Sequence, residues 1–421
     1  MSIGKVRKGE YFPYIFAGLI IAGVVFRPIV ILTFILMAVF VIKENKKDYV
    51  FAMLFFCMPF ASAFKISANS ASLFTFFQLL VVMKFVFCNK IKRKFLIIFF
   101  VYAIYLIVGG WGAFLEIVKQ ISYPLLFYFC MNDKVLKRAD WCAGWYCKGI
   151  IISSFVGIFN DYIPNMNTIV NEKVTRVAYE VYINRFSGLF GDPNYYSVNL
   201  MLAFVLLFFL FLKKKIKGKI AYGSFIAIIV FGAMTGSKTF LLMLLIVTGF
   251  TIIELIKNKQ YVMGTFLIIS VVVGIMMVLS GRVTIFNTII SRVSQASSMS
   301  ELTTERTDLW KMYFLNLIDH PLKMIVGNGF GKGYSFERYP HNTYLDFLDL
   351  LGILGTVLFL YAKKCACYSY IKSKNTLNYL PMIVIIIMYF SLSMISHYDM
   401  IYHIMISTMI IYYNEENISL F

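Results

Sequence analysis

Long apolar runs dominate the chain, and short polar stretches rich in lysine and arginine separate them. Crossing the hydrocarbon core of a bilayer takes roughly 20 apolar residues per helix. Runs of that kind predict helices near 11–26, 28–42, 48–64, 70–88, 94–110, 113–131, 143–161, 193–212, 219–235, 238–256, 261–280, 343–361, 377–393 and 398–413. The runs do not alternate apolar with polar positions, which argues against a barrel. Only helices satisfy their own backbone in such segments. The expectation is an all-α, polytopic integral membrane bundle of about 12 to 14 transmembrane helices. The lower count applies if the first pair is one broken hairpin and if 113–131, which carries Glu116 and Lys119, is not a full span.

The polar stretches set the topology. Lys43–Asp48, Asn89–Lys94, Asp133–Asp140, Lys213–Lys215, Lys257–Lys259 and Lys363–Lys374 are rich in lysine and arginine, whereas the alternate turns near Arg27, Ser67 and Gly110 are close to neutral. The positive-inside rule puts the basic stretches and both termini in the cytoplasm. Two longer polar segments then face outward, 161–192 and 281–342. They divide the chain into N-terminal helices (1–160), a first outward loop (161–192), central helices (193–280), a large outward loop (281–342) and C-terminal helices (343–421). Within the large loop, Thr304–His320 repeats apolar positions with helical spacing (Leu309, Trp310, Tyr313, Leu317) and stops at Pro321. Ile285–Val293 is a weaker amphipathic candidate, so this loop reads as a small helical cap at the membrane surface.

Composition agrees with a bilayer. Of 421 residues, 60% are hydrophobic and only 14% charged, too apolar for a soluble two-domain protein. The formal net charge of +19 would suit a nucleic-acid binder, but the cations sit in the short loops and read first as topology. The seven cysteines fall in apolar runs or basic loops, so no disulfide is needed, and Cys365 and Cys367 are too close and too isolated for a zinc site. Lys5-Val6-Arg7-Lys8 ahead of Tyr11–Phe26 resembles a leader, yet the next run follows at once without a small-residue cleavage site, so a retained first helix is expected.

Three outward motifs each open a helix. Asp192-Pro193-Asn194 supplies an N-cap and a proline in the first turn, Ser237-Lys238 opens a second helix, and His341-Asn342-Thr343-Tyr344 a third. Helix N-termini carry positive dipole ends. With Arg185, Lys238, Arg292 and Arg306 around them, they are candidates to receive phosphate or pyrophosphate at the outer leaflet. The plainer alternative is that the motifs only cap helices while the cations touch lipid headgroups. His341 can gain or lose a proton near neutral pH, so it could orient or deprotonate a hydroxyl. His397 in His397-Tyr398-Asp399 is a reserve candidate. Asp346 and Asp349 lie three residues apart on one helix face, where a carboxylate is expensive unless it meets a partner or a polar cavity. Either could serve as base or pair with a cation. Gly327–Gly333 resembles a phosphate loop but lacks the strand-to-helix context and reads as a flexible turn. No outward stretch has metal-ligand spacing, and no cofactor is implied.

The segments Arg185-Phe-Ser-Gly-Leu-Phe-Gly-Asp-Pro-Asn194-Tyr-Tyr, Gly236-Ser-Lys238, Arg306 to Gly329, and His341-Asn-Thr-Tyr-Leu345 followed by Gly352 resemble the superfamily of bacterial O-antigen polymerases, exopolysaccharide polymerases and O-antigen ligases. The resemblance covers the C-terminal part of the chain and leaves the first six helices as generic spans. It implies a metal-independent membrane glycosyltransferase of the bacterial inner membrane that uses glycans carried on undecaprenyl pyrophosphate. It also implies functional arginines in the outward loops and a histidine near the end of the large one, places held here by Arg185, Arg306 and His341. Lys238 stands where relatives often have arginine, which keeps the charge but loses the bidentate fork. Asp192, Asn194, Ser237, Arg292, Asn342, Tyr344 and Asp349 complete the expected substrate-binding set. The Asp-Pro-Asn-Tyr-Tyr form favours a polymerase over a ligase acting on lipid A core. A transporter or flippase of the same lipid-linked sugars is a further alternative, although neither inverted repeats nor broken helices are evident. A chain-length regulator and a flippase are the expected protein partners.

Overall fold

The structure is a computed structural model that describes residues 11–110, 112–170, 174–178, 181–257, 306–367 and 376–413, with isolated positions between 259 and 269. The helix expected at 261–280, the amphipathic candidate Ile285–Val293 and Arg292 lie outside the described residues.

Most of the expected runs become helices close to their predicted bounds. The first half holds α1 (Phe12–Val25), α2 (Pro28–Lys43), α3 (Lys47–Cys57), α4 (Leu73–Cys88), α5 (Arg93–Val108), α6 (Phe114–Cys130), a short α7 (Asp133–Leu136), α8 (Ala139–Ile158) and a short α9 (Met166–Val170). The second half holds α10 (Pro193–Leu212), α11 (Gly218–Met234), α12 (Lys238–Lys257), α13 (Arg306–Asp319), α14 (Pro321–Val326), α15 (Thr343–Asp346), α16 (Gly352–Ala366), α17 (Leu380–Tyr389) and α18 (Asp399–Ile411). Proline stands in the first turn of α1, α2, α10, α14 and α17, where its missing N–H is harmless. In α13, Leu309, Tyr313 and Leu317 form the buried stripe that the periodicity predicts.

Burial sorts the helices into a centre and a periphery. α3, α10 and α18 are buried almost all round, and α8 packs against α3 and α10. The α3–α8 contact is close because Gly149 has no side chain; a Cβ there would strike the Phe56 carbonyl. Peripheral helices expose one apolar face, for example Ile31, Leu32 and Ile35 on α2 and Ile97, Phe100 and Ile104 on α5. Continuous apolar faces of this kind suit lipid and not water. Ala139–Ile158, Pro193–Leu212 and Thr343–Ala366 are long and apolar enough to cross a membrane, with shorter apolar helices around them. The chain is therefore an all-α membrane protein in class.

Three local features depart from the expectation. The first polar loop contains a two-stranded antiparallel hairpin, β1 (Val174–Ala178) with β2 (Val181–Arg185), in a register that sets Val174 opposite Arg185. Its runs are rich in β-branched and aromatic residues, which suit strands better than helix. The segment expected as one helix from 343 is broken by a π-helical turn at Phe347–Leu351 and by Gly352, whose φ of 61° lies in the left-handed region. Gly327 packs directly on Gly352, and a Cβ on either would strike backbone of the other's segment. The glycine-rich stretch expected to be flexible is locked. Gly329 and Gly331 lie against Gly109, Gly110 and Gly112, and the Asn328 and Gly329 N–H groups donate to the Asp349 and Leu350 carbonyls at 2.7 and 2.9 Å. Glycine is required there because two backbones approach too closely for any side chain.

The bundle has two polar rims. One carries the ion pairs Arg138–Asp48 (3.4 Å) and Lys215–Asp140 (3.1 Å) and the lysine-rich loop after α10. The other carries the starts of α10, α12, α15 and α18, the hairpin and α13. On that second rim a cross-chain bond such as Arg27 Nη1 to the Lys65 carbonyl (3.3 Å) ties loops together.

Candidate functional site

The second rim is organised around a loop longer than the turn expected at 394–397, because the preceding helix ends at Tyr389 and the last begins at Asp399. Residues 390–398, between α17 and α18, read Phe-Ser-Leu-Ser-Met-Ile-Ser-His-Tyr. Their backbone carbonyls, which a continuing helix would have satisfied, are taken up by side chains from distant elements. Arg306 Nη1 donates to the Ser391 carbonyl at 2.7 Å, Thr343 Oγ1 to the Leu392 carbonyl at 2.6 Å and the Tyr195 hydroxyl to the Ser393 carbonyl at 2.8 Å. From α6, Gln120 donates to the Ile395 carbonyl at 2.6 Å and Lys119 to that of Ser396 at 2.9 Å. The Thr239 hydroxyl lies 3.2 Å from that of Ser391. One loop thus gathers the starts of α10, α12, α13 and α15.

Each of the three motifs does cap its helix. Asp192 accepts from the Asn194 N–H at 2.6 Å and the Tyr195 N–H at 3.4 Å. Asn342 accepts from Tyr344 and Leu345 at 3.0 and 3.2 Å, and Ser237 from Phe240 at 3.3 Å. These caps occupy N–H groups that were expected to be free for a ligand. Arg185 is 2% exposed. It donates from Nε to the Thr235 carbonyl at 2.7 Å and from Nη2 to Asn194 Oδ1 at 2.9 Å, binding the turn before α12 to the start of α10. It holds two N-termini in register. Lys238 and Arg306 are half-buried at the rim itself.

His341 is held in a left-handed backbone conformation, φ 51°, which side chains rarely adopt. The turn around it is fixed by Trp310 Nε1 donating to the Pro340 carbonyl (2.9 Å) and the Tyr313 hydroxyl donating to the Arg338 carbonyl (3.0 Å). Its ring lies on Tyr339, centroids 4.5 Å apart. Strained backbone kept in place by its surroundings is a mark of functional positions. Tyr339 in turn faces Tyr334 at 6.2 Å, and the Tyr334 phenol lies near Asp346 and Ser396. Burial, with the Asp346 carboxylate beside it, pushes the Tyr334 phenol well above its ordinary range, so it stays a donor.

The two carboxylates of the descending segment part company. Asp349, fully buried, accepts from the Ser335 N–H at 2.9 Å, from the Ser335 hydroxyl and from the Asn328 amide, so it braces the glycine-rich loop instead of facing an open site. Asp346 accepts from Ser393 at 2.9 Å on Oδ1, while Oδ2 has no hydrogen-bond partner among the described residues. Tyr344 turns toward α17, its hydroxyl on the Ile386 carbonyl (2.7 Å) and its ring on Phe390. Tyr196 is core, bonded to Ser154 at 2.6 Å.

His397, the reserve candidate, lies on the 390–398 loop. Its ring stacks on Tyr195 at 4.2 Å and 11° and on Tyr398 at 4.6 Å, and Nδ1 lies 3.3 Å from Asp399 Oδ2. Below it runs a buried network. Asn199 donates to Asp399 at 2.7 Å and accepts from the Tyr146 hydroxyl at 2.8 Å, with His403 Nε2 at 2.9 Å and the Tyr389 hydroxyl 3.1 Å from His403 Nδ1. Because the Asn199 oxygen can only accept, His403 carries its proton on Nε2 and receives the Tyr389 hydroxyl on Nδ1. The signal in the sequence was three serines and a histidine interrupting an apolar run. Among the described residues no three metal-ligating side chains converge.

No curated protein and no solved structure matches the chain. The family model described as O-antigen ligase matches residues 223–360, about a third of the chain, from α11 through α16 and including Lys238, Arg306, His341 and Asp346. Members of that family are glycosyltransferase-like enzymes acting on lipid-linked glycans. The chain carries an O-antigen ligase family domain, which supports its place in the superfamily of bacterial O-antigen ligases and polymerases.

Proposed function

We propose that the chain is a polysaccharide polymerase that joins repeat units carried on undecaprenyl pyrophosphate at the outer face of the bacterial cytoplasmic membrane. The observation that supports this best is the gathering of three helix starts and Arg306 around the 390–398 loop, with His341 two residues ahead of the Thr343 that anchors there. In this reading the lysine-rich rim is cytoplasmic, by the positive-inside rule, and the site rim is periplasmic.

The transfer forms a bond between an acceptor hydroxyl oxygen and the donor's anomeric carbon as the bond from that carbon to pyrophosphate breaks. Negative charge builds on the departing lipid pyrophosphate. Lys238, Arg306 and the dipoles of α10 and α12 stabilise it, and Arg185 sets the distance between those two helix starts. Arg292 is the further cation expected in the large loop. The acceptor proton passes to His341, with Asp346 as the alternative base. A second reading, ligation of the finished glycan to lipid A core, is favoured by the description of the matching family; the polymerase reading rests on Asp192-Pro193-Asn194-Tyr195-Tyr196.

Deletion of the gene distinguishes the roles. A polymerase deletion leaves single repeat units on the lipid core, whereas a ligase deletion removes attached glycan altogether. Undecaprenyl-linked units trapped on the cytoplasmic face would point to a transporter and refute both. A chain-length regulator and a flippase are the partners this activity requires.

A further inference from the structure

On the rim opposite the candidate site, a groove of about 560 Å³ opens between α8, α10 and α11. Its apolar part is formed by Gly144, Ile151, Leu207, Leu210 and Ile220. Gly144 borders its open space: a Cβ there would meet only Leu210 Cδ1, at 4.0 Å. Its mouth carries Lys137, Arg138, Lys148 and Lys215, of which Lys215 pairs with Asp140 and Arg138 with Asp48. The adjoining turn adds Lys213, Lys214, Lys217 and Lys219.

Lys148 is the informative residue. It is exposed within the apolar helix α8, about 14 Å from the helix start at 1.5 Å per residue. An ammonium at that depth is expensive unless it reaches back to the interface or meets an anion. It does reach back, its Nζ 4.4 Å from the centre of the Trp145 ring one turn nearer the rim. Arg138 lies in the same way over Trp141, at 4.4 Å. Two cation-bearing tryptophans at the interface end of an apolar groove match the two halves of a lipid, an anionic headgroup and an acyl chain.

The geometry points to a binding site for an anionic glycerophospholipid, its phosphate among Lys148, Lys215 and Lys137 and one acyl chain against Gly144, Leu207 and Leu210. An acidic peptide would match the cations but not the apolar depth. The groove is separate from the 390–398 loop, so the inference does not depend on the polymerase reading.

The test uses the full chain in detergent, with native mass spectrometry of bound phosphatidylglycerol against phosphatidylcholine of the same acyl chains. Phosphatidylglycerol should bind at least tenfold more, and Lys148→Gln should weaken it about fivefold while leaving phosphatidylcholine unchanged, as expected for one interfacial lysine. Gly144→Leu, which fills the groove, should reduce both lipids. Equal binding of the two lipids, or wild-type phosphatidylglycerol binding by both variants, overturns the proposal. So would inorganic phosphate raising the melting temperature as much as the lipid does, or displacement of the lipid by an equimolar glutamate-rich peptide. Melting of the lipid-free variants within 2 °C of wild type, as roughly expected for surface changes, establishes that loss of binding is not loss of fold.

Discussion

Replacing His341 with glycine, asparagine and alanine separates a backbone role from a chemical one. At φ 51° a non-glycine residue carries roughly 1–2 kcal/mol of strain. Glycine relieves it but frees the unfolded chain by about 0.4–1 kcal/mol and forfeits the ring contact with Tyr339, about 0.5–1.5 kcal/mol. Those terms nearly cancel, so His341→Gly should melt within about 1 kcal/mol of wild type. Alanine keeps the strain and loses the contact but spares the unfolded-chain term, so it should be less stable than glycine by the difference of the two, roughly 1 kcal/mol. If His341 only shapes the turn, activity should follow tolerance of that conformation, glycine first, asparagine next and alanine last. If the imidazole handles the acceptor proton, all three should lose roughly 10²–10⁴-fold whatever their stability. The assay is elongation of purified polyprenyl-pyrophosphate-linked repeat units, read as chain-length distribution, with melting in detergent as the control. Glycine and asparagine variants working within threefold of wild type would refute the chemical role and leave His341 as a turn residue.

Arg185→Lys removes the fork that joins Thr235 to Asn194 and should lower stability by about 3 kcal/mol, seen as a drop of several degrees in melting temperature with wild-type membrane insertion. Gly352→Ala combines left-handed strain of roughly 1–2 kcal/mol with a clash against Gly327, so folded yield, read by size-exclusion in detergent, should fall sharply. Asp349→Asn should release the glycine-rich loop and speed trypsin cleavage after the exposed Lys332, whereas Asp346→Asn should leave cleavage slow and reduce transfer instead. Equal cleavage in the two variants would show that the carboxylates do not have the separate duties their bonds suggest.

The helices were legible because a bilayer demands long uninterrupted apolar runs, and α10, α11 and α12 begin and end within a residue or so of the expected bounds. The buried stripe of α13 was legible for the same reason, its period being local. What escaped was set by contacts between distant positions. Ser391, Ser393 and Ser396 look like minor interruptions of an apolar run until Arg306, Tyr195, Thr343 and Asp346 are seen to bond there. Gly327–Gly333 looked flexible because its partners, Gly109–Gly112 and Gly352, are remote in sequence. Asp346 and Asp349 were equivalent on an ideal helix. The π-helical turn between them sends one to the central loop and the other to the glycine-rich loop.

The candidate site draws on residues that the family match does not reach. The matched stretch, 223–360, supplies Lys238, Arg306, His341 and Asp346, yet the loop on which α12, α13 and α15 anchor is 390–398. That loop is held from the other side by Lys119 and Gln120 of α6, by Ser62 through Tyr398, and by Tyr195 of α10. Short bonds from several rigid helices to one loop's carbonyls leave it little freedom, and a transferring site gains from groups already in place before charge develops. The early part of the chain, which carries no recognisable motif, therefore holds through Lys119, Gln120 and Ser62 the loop on which the candidate residues anchor.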